Sequence, residues 1–195
     1  GLDALRAGFL QFEEAVRAMQ AQQSSKSLTI AAPRDFTAKW LAPRLAAYGR
    51  SDPELRFALV AADETLDFTE ANLDLAIRYG KNGGEHESVR LAEGAMVMIE
   101  APEGGGDTMI AWPGCEGLEG AASLRVADAG LAIEAAANGF GRACVPHLLV
   151  EADIAAGRIR VIDNAKPSDN AYWLVAPLPQ WRQKKVKALV EALAG

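Results

Sequence analysis

The first 26 residues have the hydrophobic pattern of one amphipathic helix. Large apolar residues recur at alternating spacings of three and four, which is the heptad repeat of a helix that packs along a seam against another helix. The residues of this heptad seam are Leu2, Leu5, Phe9, Phe12, Val16 and Met19. A polar run at 24–27 predicts a short linker, so we expect the helix to stand outside the next domain and pair with a second copy. The alternative is a helix that lies on its own domain.

From residue 27 onward, short apolar strands alternate with helices. The segment after Asp35 predicts a helix that Asp35 caps and Gly49 ends. Pro43 lies inside this helix, so we expect a kink or a short break there. Continuous apolar strands joined through a helix predict a β-α-β unit with buried parallel strands. The predicted strands of this part are 27–32, 55–61 and 73–80.

The second half of the chain predicts a smaller α/β lobe. The apolar run 89–101 predicts one extended strand that passes from the first lobe into the second. The chain then closes with a strand at 171–177 and a helix at 179–194. Between them we predict strands at 107–112, 123–127, 142–145 and 158–162 and helices at 128–138 and 146–156.

The elements together predict an α/β protein with three parts. Residues 1–26 form a linker or dimerisation helix, residues 27–100 and 164–195 form lobe I, and residues 101–163 form lobe II. Two such lobes place a ligand in the crevice between them, where strand ends and helix starts converge. The pattern therefore predicts a cleft-binding protein without naming the ligand.

Composition and charge narrow the function. The chain has 195 residues, of which 50% are hydrophobic and 24% charged, as in folded globular proteins. With 20 basic and 26 acidic residues its net charge is −6, which argues against a duplex-binding surface. No apolar stretch is long enough to cross a membrane and no export signal opens the chain, so we expect a cytoplasmic protein that does not bind membranes.

The sequence carries no signature of an enzyme, a metal site or a cofactor site. Its two cysteines and two histidines are scattered, without the spacing of a metal site, and their scarcity fits a reducing compartment. The usual nucleophile and nucleotide-binding motifs are absent. The local spacing suggests one nucleophile–base pair, Cys144 with His147, for which we find no third group that would orient the histidine. We therefore predict no enzymatic activity and no cofactor.

Several runs of sequence, in order, resemble the effector-binding domain of LysR-type transcriptional regulators. They are LTIAAPRDFTAKWLAPRL from residue 28, DF at 67–68 and LDLAIRYG at 73–80, then DAGLAIEAAANGFGRACVPHLLVEADIAAGRIRVI from residue 128 and SDNAYWLVAP from residue 168. The resemblance covers nearly the whole chain and is strongest to the glycine-cleavage-activator-like and β-lactamase-regulator-like branch. One departure lies at 101–107, where the family usually has a longer segment with a helix.

The resemblance implies a fold and a set of partners. The fold is that of two Rossmann-like lobes of the type 2 periplasmic-binding-protein fold, and the ligand is a small-molecule effector. The first helix corresponds to the linker helix that pairs subunits into a homodimer or homotetramer. Promoter DNA is contacted only through an N-terminal winged helix-turn-helix that this chain lacks. A solute-binding protein of the same two-lobe fold is the alternative, although it has no use for an exposed heptad seam.

The candidate effector site starts at the junction of the first strand and the first helix. Backbone N–H groups at a helix start favour an anion such as a carboxylate, and the resemblance places effector contacts here. The alternative is that Asp35 only caps the helix and that Arg34 is a solvated charge. Thr37 is the first choice, and Tyr79 is as often a core residue as a ligand contact. The complete candidate set is Arg34, Asp35, Phe36, Thr37, Asp67, Phe68, Tyr79, Gly80, Trp112, Pro113, Ala127 and Asp128.

Overall fold

A computed structural model describes residues 1–24, 26–62, 67–115 and 122–195. Side chains are described throughout these ranges except at 18–24, so the side chain of the predicted seam residue Met19 lies outside the described residues. Among the described residues, no helix is both long enough and apolar enough to cross a membrane.

Helix α1 spans Leu2–Ser24, close to the predicted range. Its heptad seam faces outward: 73% of Leu2, 69% of Leu5 and 66% of Phe9 is exposed. Phe12, one turn further along, is equally exposed. The helix therefore stands away from its own domain, as predicted, and its apolar stripe is free to pack against another molecule.

The first sheet has five strands in the order β2-β1-β3-β10-β4. β1 runs parallel to β2 and β3, whereas β10 is antiparallel to β3 and β4. The prediction that all the parallel strands are buried is wrong for β2, because it lies at the sheet edge and is mostly exposed. The strands are β1 (Ser27–Ala32), β2 (Arg56–Ala61), β3 (Leu75–Gly80), β4 (Glu87–Arg90) and β10 (Ala171–Ala176).

The second sheet also has five strands, in the order β7-β6-β8-β5-β9. β5 pairs antiparallel with both β8 and β9, whereas β6 runs parallel to β7 and β8. The chain therefore changes sheets at 91–94 and again at 168–170. The strands are β5 (Ala95–Glu100), β6 (Met109–Ala111), β7 (Ala122–Arg125), β8 (Arg142–Pro146) and β9 (Arg160–Pro167).

The predicted single strand over 89–101 is wrong, because β4 and β5 belong to different sheets. The two crossover segments meet backbone to backbone at Gly94, whose carbonyl accepts a hydrogen bond from the Ser168 amide at 3.0 Å. A Cβ atom at Gly94 would lie 2.3 Å from the backbone oxygens of Ser168 and Asn170. The chain must turn at this tight contact, so the strand is interrupted where the two lobes are joined.

The helix after β1 has three consecutive parts: α2 (Arg34–Phe36), a π-helical turn (Thr37–Leu41) and α3 (Ala42–Gly49). The wide turn directly precedes Pro43, which explains the predicted break, because proline cannot donate an internal hydrogen bond. The predicted cap is wrong. Pro33 precedes the first turn of α2, and Asp35 lies within that turn. The Asp35 carboxylate accepts a hydrogen bond from the Phe36 amide at 2.8 Å.

Two further predicted helices are each broken into two pieces. Residues 146–156 form a 3₁₀ turn (His147–Leu149) and α5 (Glu151–Ala155), and residues 179–194 fall in α6 (Leu178–Trp181) and α7 (Lys184–Ala194). The remaining helix, α4 (Ala129–Ala137), is confirmed with Asp128 as its N-cap. Gly139 follows α4 with φ of +86°, a left-handed conformation that favours glycine at a helix end.

Candidate functional site

The two lobes meet where α2 of lobe I faces the start of α4 in lobe II. The Gly130 amide donates a hydrogen bond to the Asp35 carboxylate at 3.3 Å. A Cβ atom at Gly130 would lie 2.6 Å from the Asp35 Cβ, so only glycine allows this approach. Gly130, in the DAG run at 128–130, therefore allows α2 of lobe I to contact the first turn of α4 in lobe II.

Two carboxylates lie near each other at this junction. Asp128 caps α4 by accepting a hydrogen bond from the Leu131 amide at 2.8 Å. Burial, and next the charge of Asp128, raise the pKa of Asp35 above its usual range. No ion pair among the described residues includes Asp35 or Asp128. The junction is thus an acidic site whose two charges repel each other.

Two tyrosines complete this acidic site. Tyr172 on β10 is paired in register with Tyr79 on β3, and their ring centroids are 4.6 Å apart. The other side of the Tyr172 ring lies 4.6 Å from Phe36. Burial raises the pKa of Tyr79 to about 12, and the charges of Cys144 and, to a smaller extent, Asp35 also raise it. The Tyr79 hydroxyl donates a hydrogen bond to the Met96 sulfur at 3.8 Å. We call the set Asp35, Asp128, Tyr79 and Tyr172 the acidic cleft.

A network of ion pairs joins the lobes beside the acidic cleft. The Lys39 ammonium lies 2.6 Å from Glu134 and 3.1 Å from Asp153, both in lobe II. Arg158 contacts the same two carboxylates. Hydrogen bonds from Arg158 and Lys39 hold the pKa of Glu134 down to about 2. This inter-lobe ionic network keeps the two lobes together on one side.

A pocket of about 400 Å³ lies at the outer edge of lobe I, between the first helix and β2. Arg34 and Thr37 face it, whereas Asp35 faces the acidic cleft. We call it the strand-edge pocket. It is lined by Ala32, Arg34, Thr37, Ala38, Leu59, Val60 and Ala61.

Comparison with known proteins identifies the domain. A family model described as "LysR substrate binding domain" matches residues 21–103 and 84–195. The chain belongs to the LysR substrate-binding domain family. The matched residues form a LysR-type effector-binding domain with the periplasmic-binding-protein-like type 2 fold.

Individual relatives of this LysR domain are bacterial transcriptional activators. It is 32% identical over 101 residues to the AhcY transcriptional activator HvrB of Rhodobacter capsulatus, covering 51% of this chain and 35% of HvrB. It is 26% identical over 195 residues to the HTH-type transcriptional activator AmpR of Rhodobacter capsulatus, covering 89% of this chain and 68% of AmpR. The AmpR effector domain of Pseudomonas aeruginosa has the same fold, with a TM-score of 0.64 and 26% identity over 85% of this chain and 97% of that one.

The LysR domain does not gather all the predicted site residues in one place. Asp35 and Asp128 meet at the junction of the lobes, and Phe36 and Tyr79 pack on either side of the Tyr172 ring. Asp67 instead holds a turn by accepting hydrogen bonds from the amides of Thr69 and Glu70. The remaining predicted residues lie elsewhere: Phe68 packs against His86, the Gly80 carbonyl accepts from the Trp173 indole, the Trp112 indole donates to the Cys144 carbonyl, and Pro113 and Ala127 are exposed.

Sequence reasoning missed Tyr172, which is 95% buried at the centre of the site. Tyr172 lies 93 residues after Tyr79 in the chain, so only the antiparallel register between β3 and β10 brings the rings together. The one available signal was the aromatic pair in SDNAYWLVAP, next to a crossover between the lobes.

The two cysteines of this LysR domain, both free thiols, lie beside each other. The Cys115 thiol donates a hydrogen bond to the Cys144 sulfur, which lowers the pKa of Cys144 to about 7 and raises that of Cys115. The pairing of Cys144 with His147 that the local spacing suggests is not formed, because His147 is exposed and makes no hydrogen bond with Cys144. Cys144 is half-buried, whereas Cys115 is buried.

We therefore expect Cys144 to be alkylated by iodoacetamide with half-maximal rate near pH 7, because the thiolate is the reactive form. Mass spectrometry of the folded protein would follow each cysteine separately. In a Cys115→Ala variant the donor is lost, and the midpoint should move up toward the ordinary thiol value near 9. An unchanged midpoint in that variant would show that the hydrogen bond does not activate Cys144.

Proposed function

We propose that this domain senses a small-molecule effector that binds in the acidic cleft, as the regulatory part of a cytoplasmic LysR-type transcriptional regulator. The observation that carries the proposal is the contact between polar groups of the two lobes at one junction, where the Asp35 carboxylate of lobe I lies beside the Gly130 amide and the Asp128 carboxylate of lobe II. Sites between two lobes are where ligands bind in such folds. The family and its transcriptional-activator relatives support the regulatory role.

The structure of the cleft suggests how binding is transmitted. Tyr79 and Tyr172 line a gap of about 20 Å³ beside the crossovers, which is room for little more than one water. An effector would part the lobes there and change the contacts that Lys39 makes across them. A ligand shifts such an equilibrium by its difference in affinity for the two arrangements.

We further propose that the domain acts as a homodimer or homotetramer and that promoter DNA binds to a separate winged helix-turn-helix. The exposed heptad seam of α1 supports pairing of two copies. Leu59 and Val60 on the edge strand β2, with Leu131 in lobe II, are further exposed apolar residues that suit subunit contacts. The seam argues against the solute-binding alternative, since a monomeric carrier needs no such surface. No catalytic step is part of the proposal.

A thermal-shift screen against amino acids, small carboxylates, purines and cell-wall fragments tests the effector function. At a concentration 100 times its Kd, a ligand that binds only the folded state adds about 2.7 kcal/mol, which raises the Tm of a domain this size by about 5–10 °C. Two matched variants then locate the site. Tyr172→Phe should reduce the shift if the acidic cleft binds the ligand, and Thr37→Val should reduce it if the strand-edge pocket does. A Tm that no ligand class changes would contradict the effector function.

A further inference from the structure

The two thiols of lobe II are brought together by a turn that follows β6. Cys115 and Cys144 are 29 residues apart in the sequence. β6 runs parallel to β8, with Ile110 paired to Ala143, so the chain leaves β6 beside the strand that carries Cys144. The Cys115 amide then donates a hydrogen bond to the Trp112 carbonyl at 2.9 Å. This turn directs the chain back, so that Cys115 returns toward β8.

The Trp112 side chain fixes this turn against Cys144. Its indole donates a hydrogen bond to the Cys144 carbonyl at 2.7 Å. A Cβ atom at Gly114 would lie 2.1 Å from the Trp112 ring, so glycine lets the turn close over the buried indole. Trp112 thus contacts the backbone of both cysteines, through its carbonyl to Cys115 and through its indole to Cys144.

The two thiols differ in their access to solvent. Cys115 is 4% exposed, whereas Cys144 is half-buried. The hydrogen bond between them lowers the pKa of Cys144 to about 7 and raises that of Cys115. Cys144 is therefore accessible and partly ionised at neutral pH, with a protonated thiol held behind it. An accessible thiolate next to a second thiol is the arrangement of an attacking and a resolving cysteine.

We propose that Cys144 and Cys115 form a redox site that a hydroperoxide oxidises to an intramolecular disulfide. The Cys144 thiolate attacks the terminal oxygen of the hydroperoxide and the O–O bond breaks, which leaves a sulfenic acid on Cys144. The alkoxide that departs takes a proton from water. The Cys115 sulfur then attacks the Cys144 sulfur, the S–O bond breaks, and the hydroxide leaves with the Cys115 proton as water.

The reaction is balanced and reversible. Two thiols and one hydroperoxide give one disulfide, one alcohol and one water, and the alcohol is a second water when the oxidant is hydrogen peroxide. Two molecules of a small thiol such as glutathione return the disulfide to two thiols by exchange and are themselves oxidised. The proposal does not depend on the effector function, because neither step involves a ligand in the cleft.

The redox site lies on the face of the second sheet that the first sheet contacts. Cys144 pairs with Met98 on β5, and Met96 lies two residues before Met98 on the same face of that strand. The Met96 sulfur accepts the hydrogen bond from the Tyr79 hydroxyl of β3 at 3.8 Å. A disulfide at Cys144 would therefore form beside a contact between the two lobes, where it gives the domain a second input.

Peroxide treatment of the full chain at pH 7 tests the proposal, with peptide mass spectrometry in the absence of reductant. With hydrogen peroxide in small molar excess, we expect one peptide pair joined through Cys115 and Cys144 within a single chain. Dithiothreitol should remove the link. In Cys115→Ala, dimedone should instead trap a sulfenic acid at Cys144. In Cys144→Ala, Cys115 should stay reduced, because it is buried.

Cys115→Ala also measures what the hydrogen bond contributes to the first step. Without the donor, the pKa of Cys144 should return toward the ordinary value near 9, which leaves about 50-fold less thiolate at pH 7. Since a more basic thiolate is also more nucleophilic, the rate of Cys144 oxidation should fall by about five- to tenfold. An unchanged rate would remove the activating role of Cys115.

The wild-type measurement decides the proposal even where a variant fails to fold. A disulfide that joins two chains, oxidation that begins at Cys115, or a sulfenic acid at Cys144 that never proceeds to the disulfide would each overturn it. Two thiols that both stay reduced under peroxide would overturn it as well. None of these outcomes bears on the effector function, which the thermal-shift screen tests separately.

Discussion

Replacing Phe36 with alanine should lower the free energy of unfolding by about 3–5 kcal/mol, the usual cost of deleting a fully buried phenylalanine ring. Phe36 is 0% exposed and its ring stacks on Trp40 at 5.0 Å and on Tyr172 at 4.6 Å. Alanine would leave a cavity directly behind the acidic cleft. Since domains are typically stable by only 5–15 kcal/mol, this one change would remove a large part of the stability.

Urea denaturation at one protein concentration would measure how much the Phe36→Ala variant loses in free energy of unfolding. Phe140→Ala is the matched control, because 58% of Phe140 is exposed in lobe II and its truncation should change the free energy of unfolding by less than about 1 kcal/mol. Phe36→Leu provides a milder variant that keeps most of the buried volume. Equal losses for Phe36→Ala and Phe140→Ala would contradict the central position of Phe36 in the core.

The double substitution Phe9→Glu with Phe12→Glu should raise the Kd of self-association by at least about 100-fold. Both rings belong to the heptad seam and are about two-thirds exposed in the single chain. Burying an aromatic side chain at a helix pair contributes about 1.5–3 kcal/mol, and each dimer contains four of these rings. Because a tenfold change in Kd corresponds to about 1.4 kcal/mol, a 100-fold loss is a conservative expectation.

Sedimentation velocity over a range of concentrations would measure this change in association. Leu10→Glu is the control, since Leu10 is 60% exposed on the same helix but lies off the seam. We expect Leu10→Glu to leave self-association unchanged. A wild-type chain that stays monomeric at tens of micromolar, or a Leu10 variant as impaired as the seam variant, would overturn the assignment of the seam.

The amino-acid sequence alone was enough to predict most elements and their type. β1 at Ser27–Ala32 agrees with the prediction residue for residue, and α4 at Ala129–Ala137 lies within the predicted helix 128–138. The heptad pattern predicted an outward-facing seam, and Leu2 and Leu5 are indeed exposed. These features depend on residues that are near each other in the chain, through periodicity and local hydrogen bonds, so a local pattern suffices to predict them.

Element boundaries were predicted less well where a distant contact intervenes. The run over 89–101 has the local pattern of one strand, yet the second crossover approaches Gly94 so closely that the strand is interrupted there. Aspartate is a residue type that commonly caps helices, but here the helix begins directly after Pro33, so Asp35 lies inside the first turn. Its carboxylate accepts a hydrogen bond from the Gly130 amide of the other lobe. In both places a contact across the two lobes overrides the local preference.

The sequence by itself determined the family, the two-lobe fold and the long first helix, because these follow from long ordered runs of residues. Only the tertiary structure decided which candidates share a site. It separates Thr37 from Asp35, although they are two residues apart, because neighbouring positions on a helix point in different directions. It also brings Tyr172 to Tyr79 and Asp128 to Asp35. The charge of the cleft depends on these long-range pairings between strands and between lobes, which no local pattern of residues contains.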